Sequence, residues 1–276
     1  MSLNRWVSAP PRVNDESVRR LLAVRVLAAV FAIFWGYLFF GWIDLAVVFV
    51  RTPGFYESYL LETGWGILYS FMVAAPLLGL VLKPDRTSLM VEVAVVAICV
   101  AVAGGAALAL RQLWAAAGLL MTATIVYLIF RASLEADQSS GHSRLRLSPH
   151  RPLLAVACAA VVPFAVLAIH LVMGFRELRP PTDDDTWGID HWPMQAALAL
   201  ALPTVSVLAS FRAPGWRFSV WTVIVSSAWW GAVSLSYPRH AGSLALFGGW
   251  AAIAWSLALL VASSLSARPG HSQITA

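Results

Sequence analysis

A chain of 276 residues that is 59% hydrophobic and 12% charged, with mean hydropathy +0.74, is not a soluble globular domain; such domains carry about 25% charged residues. Its net charge of +5 implies no nucleic-acid partner, because no segment outside the apolar runs is large enough to form a basic domain. Lys83 is the only lysine against eighteen arginines, and it stands at the very edge of an apolar run, so no lysine lies deep enough for a retinal Schiff base.

In chain order, a basic N-terminal segment, 1–23, leads into a first apolar run that contains FAIFWGYLFFGW. The run is too long and too aromatic for a secretory leader, and no small-x-small cleavage site follows it. It reads as an uncleaved first span. Seven more runs approach the ~20 residues that cross a bilayer. The eight predicted spans are 24–43, 64–83, 88–110, 112–131, 152–175, 193–211, 216–236 and 242–264, an all-α polytopic transmembrane bundle.

Charge placement supports this number. With a cytoplasmic N-terminus, fourteen of the nineteen basic residues fall on inner segments. The outer segments hold Arg51, Arg111, Arg176, Arg179 and Arg239 together with eight acids, among them Asp44, Glu57, Glu62 and Asp190. That bias follows the positive-inside rule, and it predicts a multi-pass protein with both termini inside. The inner basic residues then face anionic lipid heads, each attracted by about 1 kcal/mol.

The polar stretch 132–151 reads as a cytoplasmic linker between two halves, 24–131 and 152–264, with 265–276 as a cytoplasmic tail. Trp65 and Pro76 are eleven residues apart, as are Trp192 and Pro203, each pair in the second span of its half. The coincidence is consistent with a four-plus-four parallel repeat.

Two acidic, tryptophan-containing entries to spans stand out, GFYESYLLETGWG and TDDDTWGIDHWPMQ. On one reading they are only helix ends. Asp190 or Thr63 caps a helix, Pro193 is tolerated in a first turn, and Trp42, Trp65, Trp114, Trp187 and Trp192 form an interfacial belt. On the other reading, Asp44, Glu57, Glu62, His170, Asp190, His191 and Gln195 line an outward-facing vestibule for a cation, a small polar solute or a hydrophilic headgroup. Polar groups below the interface usually face a bundle interior or a wet cavity. Gln195 lies one turn beyond His191, on the same helical face.

Glu92, the one acid within a span, is expected to reach the inner interface or to pair with Arg86 or Arg25. A proton relay would require a second deep acid or histidine, which the chain lacks. Haem is not expected, because only His170 lies at a plausible depth for axial ligation. Cys99 and Cys158 both fall in apolar runs, which argues against a disulfide framework or a zinc site. Trp229, Trp230, Trp250 and Trp255 are read as packing side chains in spans seven and eight. Gly104-Gly105 and Gly248-Gly249 permit close helix approach, and Pro76, Pro163 and Pro203 kink their spans. Phosphate-loop, HExxH and GxSxG motifs are missing, so no motif supports ATP hydrolysis or hydrolase chemistry. The run Asp183–Asp185 lacks the spacing of a calcium loop.

The segments YLLETGWGILY and GIDHWPMQAALALALP resemble a group of polytopic membrane proteins of high-GC actinobacteria. The resemblance implies a bacterial plasma membrane and carries no catalytic residue with it. The functional expectation is a transporter or permease-like component without cofactor or metal. The alternatives are a non-catalytic partner of another membrane protein, or an outer-leaflet enzyme using Asp190 or His191 as acid–base group.

Overall fold

Unpaired backbone N–H and C=O groups are intolerable in hydrocarbon, so long apolar runs fold as helices that satisfy their own polar groups. The computed structural model describes residues 15–49, 59–136, 149–177 and 190–265, and among these there is no strand. The helices are α1 (Asp15–Ile33), α2 (Gly41–Ala46), α3 (Tyr59–Tyr69), α4 (Ala75–Leu82), α5 (Thr87–Ala107), α6 (Leu110–Ala136), α7 (Arg151–Glu177), α8 (His191–Ala209), α9 (Trp216–Ser236) and α10 (Ala245–Ser264). A π-helical stretch, Phe34–Leu38, extends α1, and a second, Ser70–Ala74, joins α3 to α4.

Eight of the resulting segments are long and apolar enough to cross a membrane, beginning with Val18–Leu38 and Leu60–Leu82. The chain is therefore a multi-pass integral membrane protein with the all-α architecture expected from its sequence. Large apolar side chains such as Leu22, Ile98, Val162 and Phe247 stand exposed on the surface, where hydrocarbon solvates them.

One span edge differs from expectation. The first span ends at Leu38 rather than at residue 43. Phe40 takes a left-handed conformation, φ 63°, and the chain turns into the separate short helix α2. Asp44 thus sits on α2 and not at the end of a membrane helix.

Spans two and six form the centre. The buried shares of the first four spans are 28%, 72%, 56% and 39%, and those of the second four are 28%, 72%, 61% and 28%. α3 packs on α8, α5 lies against α8, and α9 lies against α3 and the π stretch that follows it. Between α9 and α10 the backbones meet closely, since a Cβ at Gly231 would stand 2.7 Å from the Gly249 carbonyl oxygen. Small residues give this proximity in membrane bundles. At the arginine-rich end, His150 Nδ1 accepts the Leu153 N–H at 3.3 Å and so caps α7. Burial and Arg212 hold that imidazole below its usual range, in the neutral form the cap requires.

Candidate functional site

The carboxylate-rich end is organised by the first turns of α3. Here α2 lies backbone against backbone on α3. A Cβ on Gly66 would fall 2.2 Å from the Leu45 nitrogen, so a glycine is needed for the two helices to meet. This contact sets Asp44 beside Glu62, which is buried. Burial first, and then the neighbouring Glu62, push the Asp44 carboxyl from 3.8 up to about 8. It is therefore largely uncharged at neutral pH, where it offers an O–H donor instead of an anion.

From the other side α8 brings His191 and Gln195, both buried. The His191 ring lies against Trp65, centroids 5.2 Å apart. Gln195 Nε2 donates to the Gly242 carbonyl at 2.7 Å and approaches the Leu60 carbonyl at 3.4 Å. The Tyr69 hydroxyl reaches Met194 Sδ at 3.6 Å. Pro193 stands in the first turn of α8, where its missing N–H costs no intrahelical bond.

Of the seven vestibule residues, four, Asp44, Glu62, His191 and Gln195, gather around the start of α3. Asp190 is half-buried at the edge of this group, and its carbonyl accepts the Gln112 Nε2 donor at 2.8 Å. His170 is exposed on α7 and does not face the bundle interior. Glu57 lies outside the described residues. His240, in the turn between α9 and α10, packs against Tyr237, centroids 5.3 Å apart.

The helix-end reading needs correction in its details. Asp190 occupies the N-cap of α8 but makes no side-chain cap bond. Thr63 is inside α3, with its Oγ1 buried and lacking a hydrogen-bond partner among the described residues. Trp65 is not an interfacial belt residue. It is 5% exposed and donates its indole N–H to the Phe39 carbonyl at 2.9 Å.

Beside the polar cluster runs a groove of about 660 Å³ between α1 with its π extension and α6. One wall is aromatic, with Phe31, Phe34, Trp35 and Phe39. The other is Ala115, Gly118, Met121 and Thr122, and Arg111, Gln112 and Asp190 stand at one end. Trp35 donates to Thr122 Oγ1 at 3.2 Å across it. Trp65 joins groove to cluster, since it lines the former and touches His191 in the latter. Phe39 stacks on Trp65 at 5.1 Å, and Trp35 on Tyr69 at 5.6 Å. A cavity with apolar walls and a few polar groups at one end suits an amphiphile, with its tail along the rings and its head at the polar end.

Arg111, Gln112 and the Trp35–Thr122 pair are absent from the sequence-based site. Arg111 reads as an ordinary outer charge, and nothing in the sequence singles out Thr122. A polar amide at the first position of the predicted span 112–131 is the sequence signal that could have found Gln112, which the structure buries to 3% exposure.

Glu92 also departs from expectation. It neither snorkels nor pairs with Arg86 or Arg25; it is 2% exposed and accepts the Thr222 Oγ1 donor at 2.5 Å. Of the four deep tryptophans, Trp230 is fully buried and Trp255 donates to the Val156 carbonyl at 2.9 Å, whereas Trp250 is 64% exposed. Among the described residues no three His, Cys, Asp or Glu side chains come together as a metal site. No family model matches the chain, and neither a curated protein nor a solved structure is similar to it.

Proposed function

We propose that this integral membrane protein belongs to a bacterial plasma membrane, has both termini in the cytoplasm, and acts as a permease-like component that takes up an amphiphile at its outer face. The observation that carries this reading is the aromatic groove between α1 and α6, which ends at Arg111, Gln112 and Asp190 beside the cluster of half-buried Asp44 with buried Glu62, His191 and Gln195. An apolar tail in the groove is solvated by rings at no greater cost than in lipid. A polar head at its end meets a guanidinium, an amide and a carboxyl, which together suit a zwitterionic or anionic head with hydroxyl groups. The matched burial of spans two and six supports a four-plus-four repeat, an arrangement in which membrane transporters place their sites at the interface of the halves.

The test is quenching of tryptophan fluorescence by lipids brominated along the acyl chain, with the protein in nanodiscs. Trp35, Trp65 and Trp114 line the groove. Met121→Phe, at an exposed groove position, narrows it without adding a fluorophore. The expected result is a saturable component of quenching in the wild type, beyond that of the exposed Trp221 and Trp250, that Met121→Phe reduces. Equal quenching in both would remove the groove as a binding site.

A second reading is a non-catalytic subunit whose groove receives a helix of another membrane protein. Trp114, 82% exposed at the groove rim, favours it, because aromatic anchors are enriched at protein interfaces. Stoichiometric co-purification of a second membrane protein, abolished by Trp114→Ala, distinguishes it from amphiphile uptake.

A further inference from the structure

Two stretches that lead into spans four and eight match closely. LALRQLWAA, at 108–116, and LALFGGWAA, at 244–252, share six of nine residues. Each lies at the carboxylate-rich end, where its helix, α6 or α10, begins. On this register Trp114 corresponds to Trp250, and both are exposed. The match extends to what the helices enclose. α6 borders the aromatic groove with α1, and α10 borders a second groove, of about 440 Å³, with α7. Arg111, Gln112 and Ala115 line the first, and the equivalent Phe247, Gly248 and Ala251 line the second. The opposite wall runs through Phe31, Trp35 and Phe39 in one groove and through Ala159, Pro163 and Leu167 in the other, every fourth residue in both. A parallel repeat places its elements in this way.

The second groove differs in its chemistry. The buried residues Ala160, Phe164 and Ala252 form its floor, together with Trp255. Trp255 meets the Phe164 ring at 5.3 Å and gives its indole N–H to the Val156 carbonyl at 2.9 Å, so it ties α10 to α7 and leaves no donor over. At the carboxylate-rich end the Ser243 hydroxyl accepts the Ala245 N–H at 3.0 Å. None of the lining residues carries a charge. Phe247, 88% exposed, stands where the first groove has a guanidinium.

Size and setting choose the occupant. A helix with its side chains is about 10–12 Å across. α7 and α10 touch each other at the groove floor through Phe164 and Trp255, so a partner helix cannot enter between them. A volume of about 440 Å³ falls within the range of small-molecule sites, about 300–1,000 Å³. The exposed lining residues Ala159, Pro163 and Phe247 lie on membrane-spanning segments, where the solvent is hydrocarbon. A flexible apolar chain fits such a recess. Each dispersion contact is weak, but a chain held between two flanks and a floor makes many more of them than one lying on a convex surface.

We propose that the α7–α10 groove holds one acyl chain of a membrane lipid without reading its head group, and that Arg111, at the position Phe247 takes in the second half, makes the α1–α6 groove the head-selective one of the pair. This rests on the reading of the α1–α6 groove as an amphiphile site. A guanidinium pairs with a phosphate through a planar fork of donors, and a phenyl ring offers it none. Chain binding then belongs to both halves and head selectivity to one.

The experiment is photolabelling of the full-length protein in detergent with a phosphatidylglycerol that carries a diazirine on one acyl chain, the labelled peptides being mapped by mass spectrometry. Saturable labelling is expected at both α7–α10 and α1–α6. Unlabelled phosphatidylglycerol and phosphatidylcholine should displace the probe equally from α7–α10. From α1–α6 phosphatidylglycerol should do so at a roughly fivefold lower concentration, as one guanidinium beside an anionic head implies. Ala251→Phe, at an exposed lining position, should remove the α7–α10 label and keep the other, which also shows that the variant folds. Phe247→Arg should give α7–α10 a preference for phosphatidylglycerol, and Arg111→Gln should abolish that of α1–α6. Label at α1–α6 without saturable label at α7–α10 would overturn the proposal and leave the amphiphile reading standing. Saturable label missing from both grooves would overturn that reading and the proposal with it. A head preference at α7–α10 in the wild type, or one at α1–α6 that survives Arg111→Gln, would overturn the role given to Arg111.

Discussion

Gln195 and Gly242 are locked together across the bundle: the amide nitrogen donates to the glycine carbonyl at 2.7 Å, and that glycine has φ 77°. The same carbonyl is approached by the Trp230 indole N–H at 3.4 Å. One backbone oxygen, in the turn between α9 and α10, therefore anchors donors from both α8 and α9.

Gly242→Ala is expected to be severe, because an added Cβ would lie 2.3 Å from Gln195 Oε1 and the left-handed backbone disfavours any side chain. Strain and lost packing of this kind cost about 1–3 kcal/mol. Combining it with Gln195→Ala removes the clash, so the double variant should be less destabilised than the sum of the singles. Thermal unfolding of the four proteins in a double-mutant cycle measures the coupling. Strict additivity would show that the contact contributes nothing.

Stability should also fall as pH rises through the Asp44 titration. The folded-state carboxyl is raised to about 8 from 3.8. Between those values the folded chain holds a proton that the unfolded chain has released, so unfolding is favoured with increasing pH. The contribution is fully present below about 4 and is lost by the time pH passes 8. One such proton tilts stability by at most about 1.4 kcal/mol per pH unit. Asp44→Asn should flatten this decline and make the protein more stable than wild type above pH 8. Parallel pH profiles of Tm for the two proteins would contradict the assignment.

Much of this architecture is legible in the sequence because the bilayer acts as a strong filter. A run of twenty apolar residues has few alternatives to a spanning helix, so the eight spans are recovered with small shifts. The convergence of Asp44, Glu62, His191 and Gln195 is legible because polar residues near span ends must find partners. Less legible is which face of a helix points inward. His170 and His191 look alike by depth, yet one is exposed and the other buried. The break at Phe40 hides in a continuous aromatic run, since nothing in FFGW short of the Gly41 contact with Tyr69 signals a turn. Glu92 looks interfacial from its distance to the helix end. Its burial follows from how α5, α8 and α9 close over it, which is a property of tertiary packing.

The sidedness on which the outer groove depends can be tested with single cysteines. In a background carrying Cys99→Ala and Cys158→Ala, two positions in short connections report on opposite ends. Asp85 precedes α5 at the arginine-rich end, and Arg239 lies between α9 and α10 at the carboxylate-rich end. Asp85→Cys and Arg239→Cys are each treated in intact cells with a membrane-impermeant maleimide. The arginine bias predicts that Arg239→Cys is labelled directly, while Asp85→Cys is labelled only after permeabilisation. Both helices flanking each site are full spans, so the two cysteines cannot lie on one side without unmaking a span. The reverse pattern would invert the molecule, placing the aromatic groove in the cytoplasmic leaflet. Labelling of both in intact cells would break the alternation of spans between α5 and α9.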